Sequence, residues 1–198
     1  MDQNEFFWIS QRLSPAEVCA HLLALAVVEF SYTPNSTIAL ELDGTAGRLK
    51  DSGRGMRLTP DIGDTLGHAE RAMTGFYPCT PKSSELDLIL RELVWGKHGS
   101  PGPSVANAAC KALKFTSMRD GEIWSQSYVW GKPSGPAELL GSTETTGTVI
   151  EFETAEPIDQ VAVATVVGAL CSRVPRVSIV LRTQSSGPST AMNGRSTA

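Results

Sequence analysis

From Lys114 to Glu153 the sequence reads as strands in close antiparallel succession: KFTSM, EIWSQSYVW, AELLGS and GTVIEFE. The first two are joined by Arg119, Asp120 and Gly121, a tight turn with no room for the crossover helix that parallel pairing needs. SPAEVCAHLLALAVVEF opens with Ser14, Pro15 and, three residues after the serine, Glu17; this capping-box signature predicts a helix from Pro15 to Ser31. SSELDLILRELVW puts Leu86, Leu90 and Leu93 on one helical face, and SVANAACKAL reads as a small-residue helix. STIALEL and GRLK around the turn DGTAG predict a hairpin, and IDQVAVATVVGALCSR a last helix before the strand RVSIVLRT. Residues 57–82 read as a long loop with a helical turn near HAERAM. The pattern is α+β: a two-layer sandwich of a mixed, mostly antiparallel sheet with helices on one face.

The 198 residues, 41% of them apolar, suit one domain with a substantial core. A net charge of −4 argues against a basic nucleic-acid face, so no nucleic-acid partner is expected. The longest apolar run, LLALAVV, is too short to span a bilayer, and MDQNEFFWIS has no signal-peptide h-region; no membrane partner is expected either. Residues 1–13 read as an arm, 14–183 as the domain and 184–198 as a disordered Ser/Gly/Thr-rich tail. The aromatic-rich arm either packs on a second copy, making a homodimer, or folds back on its own domain. Cys19, Cys79, Cys110 and Cys171 are scattered without a C-x-x-C pair, so no metal site is expected. Three of them sit in apolar helical patterns and read as core residues of a protein in the reducing cytoplasm.

DSGRGM, at residues 51–56, follows an apolar strand. Asp and Gly here fit a turn, but the motif has company. A glycine-rich loop, HGSPGP, runs into a helix N-terminus, and TGT at 146–148 opens a strand. In this order, over residues 14–183, the motifs resemble the ATP-binding domain of the gyrase B and topoisomerase IV type. That domain belongs to the wider Bergerat-fold family that includes Hsp90, MutL and the histidine kinases. DSGRGM resembles the family's Asp-Asp-Gly-Arg-Gly-Ile. The resemblance implies that Asp51 accepts a ligand amino group, that Gly53 and Gly55 let a flat base approach the backbone, and that Met56 and Thr148 belong to the same pocket. It also implies a supporting ion pair between Glu29 and Arg54.

The departures fall on phosphate chemistry. The family's first helix carries a Glu that activates water and, four residues on, an Asn that holds Mg²⁺. Here His21 and Leu25 stand at those positions. Leu has no oxygen for a hard cation. The sequence also lacks most of the family's lid before the glycine loop, where Pro101 and Pro103 remove two N–H donors. The long loop carrying His68, Phe76, Tyr77 and Cys79 is one expected candidate to fill the vacated space. His21 is open to two readings: a satisfied residue on an apolar helix, or an acid–base group in the pocket beside Asp51. His98, in the glycine loop, is either ligand-binding or a plain loop residue, and Trp95 either core or cavity wall.

The expectation is a stand-alone, gyrase-B-like domain that has lost ATP hydrolysis. The former adenine pocket would hold a small-molecule ligand, with no cofactor. His21 and Asp51 offer a route to acid–base catalysis such as cyclisation, condensation or isomerisation. The alternative is a non-hydrolysing adenine-nucleotide module with a sensing or scaffolding role.

Overall fold

The structure is a computed structural model that describes residues 13–61, 63–76, 79–96, 99–174 and 176–183. The arm, the tail, Tyr77 and His98 lie outside the described residues. The first helix, α1, spans Pro15–Phe30. Its capping box is complete: the Ser14 N–H donates to Glu17 Oε2 at 2.8 Å, and the Glu17 N–H donates to Ser14 Oγ at 3.3 Å. Most of α1 is buried, because it lies across the sheet and is itself covered by later helices. The hairpin forms as read, with β1 over Ile38–Asp43 and β2 over Ala46–Asp51.

The loop that follows contains α2, His68–Thr74. Next comes α3, Ser84–Leu90, which widens into a π turn over Arg91–Trp95. The helix α4 covers only Ser104–Ala109, shorter than SVANAACKAL suggested, because Cys110 turns extended and Ala112 already belongs to β3. Asn107, buried in α4, donates from Nδ2 to the Met73 carbonyl at 2.8 Å and so fastens α4 to α2. The remaining elements are β3 (Ala112–Arg119), β4 (Glu122–Val129), β5 (Lys132–Pro133), β6 (Glu138–Ser142), β7 (Gly147–Glu153), α5 (Gln160–Arg173) and β8 (Ile179–Thr183).

The sheet runs β5-β4-β3-β7-β2-β1-β8, with β6 also on the outer side of β4. All pairings are antiparallel except β1 with β8. Alternation decides the layers. Ile38, Leu40, Leu49, Leu113, Phe115 and Ile150 point one way and join Leu22, Leu23, Leu90 and Leu170 from the helices in one core. Their neighbours Glu41, Arg48, Lys114 and Glu151 point to the other, open face. This is the two-layer α+β arrangement expected. Among the described residues no helix is long and apolar enough to cross a membrane. Of the cysteines read as core, Cys19 and Cys110 are buried, but Cys171 is exposed: it sits on the solvent side of α5.

Candidate functional site

One rung of the sheet underlies a cavity, and two of its three polar residues, Asp51 and Thr148, line it. Register pairs Ser117 with Thr148 and Thr148 with Asp51, so three polar side chains from β3, β7 and β2 stand side by side. All three point toward the helices and all are buried. Burying polar groups costs free energy unless each finds a partner. Ser117 Oγ accepts from the Met56 N–H at 2.8 Å, and Asp51 Oδ1 accepts from the Gly53 N–H at 2.8 Å. Burial pushes the Asp51 carboxyl up to about 6, against the pull of the Gly53 N–H; nearby Glu29 raises it further, and hydrogen bonding from Thr148 lowers it.

Two glycines make this rung possible. Gly55 has φ +70°, and a Cβ there would stand 2.5 Å from the Met118 carbonyl oxygen and 2.9 Å from Ser117 Oγ. Gly147, at φ +144°, lies so close to the Asp51 carbonyl that a Cβ would collide with it, which lets β7 bring Thr148 alongside Asp51. Neither backbone conformation suits an L side chain.

The cavity above the rung measures about 440 Å³, within the usual range for small-molecule sites. Its far wall is a stripe of Leu25, Val28 and Glu29 on α1, the i, i+3, i+4 spacing of one helical face, continued by Tyr32 in the turn just past the helix end. The Glu29 carboxylate accepts from the Arg54 N–H, Nε and Nη2, each at 2.8 Å, a bidentate grip that fixes the loop after β2. Burial would raise the Glu29 carboxyl, but these bonds more than offset it and hold it below its ordinary value. The Arg54 guanidinium also sits 4.4 Å over the Tyr32 ring. Tyr32 in turn donates its hydroxyl to the Thr80 carbonyl at 3.0 Å. Cys79 and Thr80 thereby form a strap along the mouth, and Phe115 closes the base.

Of the residues singled out in the sequence, the structure brings Asp51, Gly55, Met56, Thr148 and Leu25 together around this cavity, with Arg54 and Glu29 in its wall. Gly53 stands just behind: a Cβ there would run into Glu29 and lie 2.8 Å from Asp51 Oδ1. Trp95 is packed in the core and is not part of the wall. His21 is not part of it either. It lies one turn before Leu25 on the same helix. It is 8% exposed and its Nδ1 has no partner among the described residues. Burial pulls its imidazole down to about 4, only partly countered by Glu17. The sequence reading missed Val28, Tyr32, Thr80 and Phe115. The helical spacing from Leu25 would have found Val28.

The fold family implies a magnesium ion. The donors present do not fit one. Of the two carboxylates in the wall, Glu29 is held by Arg54 and Asp51 by the Gly53 N–H, while Leu25 offers no oxygen. Among the described residues no three His, Cys, Asp or Glu side chains cluster as a metal site would need.

No protein-family model matches the chain. Sequence comparison finds the DNA gyrase B protein of Thermotoga maritima, 31% identical over 116 residues, which is 59% of this chain and 17% of that protein. The B component of DNA topoisomerase 4 from Caulobacter vibrioides is 29% identical over 156 residues, 72% of this chain and 20% of that one. The chain thus spans only a fraction of these relatives' length. Among solved structures, the topoisomerase IV ATP-binding domain of Francisella tularensis, bound to a small-molecule inhibitor, superimposes with a TM-score of 0.66 at 18% identity, covering 86% of this chain and 82% of that one. The 43K ATPase domain of Thermus thermophilus gyrase B, in complex with an aminocoumarin, gives a TM-score of 0.65 at 19% identity, covering 86% of this chain and 43% of that one. With its sheet order and the Asp51 rung, the chain folds as a GHKL-type domain, the Bergerat fold of the gyrase B and topoisomerase IV ATP-binding domains.

Proposed function

We propose that this domain binds a small planar organic molecule in the Asp51 cavity and does not hydrolyse ATP. The observation that carries the reading is the contrast within one cavity. A buried carboxyl with Thr148 at its side can recognise a heterocyclic donor and acceptor edge, whereas Leu25 faces the same space where phosphate chemistry would need a metal ligand. A ligand with no triphosphate suits such a site better than ATP, whose main anchoring groups are missing from the wall. The four cysteines are unpaired, consistent with a reducing, cytoplasmic setting.

The test has two parts. Calorimetric titration with adenosine and with ADP is expected to give similar affinities, because the second adds only phosphates. Mass spectrometry of the purified protein under native conditions is expected to reveal a bound small molecule. ADP binding far tighter than adenosine would instead favour the adenine-nucleotide module.

One observation supports chemistry as well as binding: the Asp51 carboxyl, raised to about 6, can exchange a proton near neutral pH. An isomerisation or cyclisation would then rest on Asp51 alone, since His21 is outside the cavity wall. Turnover on the co-purified molecule would fall with Asp51→Asn and persist in His21→Gln. The opposite pattern would refute this route.

A further inference from the structure

A second cavity, of about 470 Å³, lies across the strap from the first; Cys79 and Thr80 line both. Its other walls include Ser84 and Asp87 on α3, Arg91 in the π turn, and Gly99 and Ser100. Ser100 Oγ accepts from the Cys79 N–H at 3.1 Å and the Gly102 N–H at 3.2 Å, which fastens the strap to the glycine loop and fixes the partition between the cavities.

Arg91 is set for an anion. Its Nε donates to Asp87 Oδ2 at 2.6 Å, which locks the side chain's direction. Its plane lies flat against Gly99: a Cβ on that glycine would stand 2.9 Å from Cζ and from both Nη atoms. Among the described residues neither Nη makes a hydrogen bond. A guanidinium with its Nε edge used and its face covered still presents its Nη pair, a fork matched to a carboxylate. The hydroxyl of Ser84 adds a polar neighbour in the same wall.

We propose that the ligand of the Asp51 cavity carries an arm that passes the strap and ends in a carboxylate held by the Nη fork of Arg91. The ligand class is therefore a small heterocyclic organic acid. This deepens the binding reading above and rests on it. The two are tested apart by a graded set of probes: adenine alone, then adenines bearing a carboxyalkyl arm of increasing length at N9, each beside its primary amide.

At the best arm length the acid should bind about tenfold tighter than its amide, the gain expected of one charge-assisted contact. Arg91→Gln should erase that gap, Arg91→Lys should keep part of it, and neither should change the affinity for adenine. No gap at any length, or a gap that survives Arg91→Gln in a protein with wild-type melting temperature, overturns the proposal. If adenine itself fails to bind, the heterocycle reading of the first cavity falls, and sodium propionate decides the second. The Arg91 Nε–Hε resonance should shift saturably on titration, and a resonance that stays put removes the Arg91 site too.

Discussion

The Asp51 end of the cavity and the α1 wall around Leu25 face the same space, yet they are built on opposite principles. The Asp51 end concentrates buried polar groups on one rung of three strands, and the backbone of the loop that follows β2 gives Asp51 and Ser117 their partners. The α1 wall is aliphatic from Leu25 to Val28, and its one carboxylate, Glu29, is spent on Arg54. One turn further back, His21 is buried. A sheet rung can keep a polar constellation intact because register fixes every member at once. A helix face can change one residue at a time, and here each change removes a phosphate-side function while leaving the base side untouched.

The largest expected effect contrasts Asp51 with His21 through pH. Asp51 is raised from 3.8 to about 6, so the folded state holds its proton more tightly than the unfolded chain does. Its contribution to stability is full below pH 4 and is lost as pH rises through 6, by about 3 kcal/mol. His21 is lowered from 6.5 to about 4, so the unfolded chain takes up its proton first. Its contribution is full above pH 6.5 and is lost as pH falls toward 4, by about 3 kcal/mol. In the wild type the two nearly cancel. Urea denaturation across this range should show stability rising with pH in Asp51→Asn and falling with pH in His21→Gln. Parallel slopes in the two variants would break the contrast.

Binding comes next. Asp51→Asn should weaken adenine binding by about 1–3 kcal/mol, the cost of reversing an acceptor in a buried site. Thr148→Val should cost less, about 1 kcal/mol. Unchanged calorimetric affinities in both variants would take the rung out of the recognition account. Glu29→Gln should lower stability by about 1 kcal/mol, because Arg54 is half exposed and water replaces part of what is lost; thermal melts at low and high salt measure it. The smallest effect belongs to Leu25→Asn. Restoring one oxygen without the rest of a metal shell should leave ATP turnover undetectable, and measurable phosphate release would show that a single position had silenced the site.

Much of this was legible in the sequence for local reasons. The capping box at Ser14 fixed the start of α1, and the alternation of β7 and the tight turn at Asp120 set two strands. The Asp51 motif announced itself because its glycines are needed where they stand. Other parts lacked a local signal. Thr80 and Phe115 reach the cavity from a loop and a strand distant in sequence from α1, and only strand register and the Tyr32 hydrogen bond bring them there. The π turn at Arg91–Trp95 differs from α-helix by one residue per turn over five residues, too little for apolar spacing to register. His21 shares a face with Leu25 by spacing alone, but whether that face is open depends on tertiary packing, which buries His21 and leaves Leu25 on the cavity. The two residues of β5 are too few to form a pattern.

The most direct measurement is calorimetric titration of the wild-type protein with ATP, once with magnesium and once with a chelator. The account predicts one weak affinity in both, equal to that for adenosine. A tight interaction that appears only with the metal would contradict it, since the wall around Leu25 would then be gripping a cation that its side chains have no means to hold.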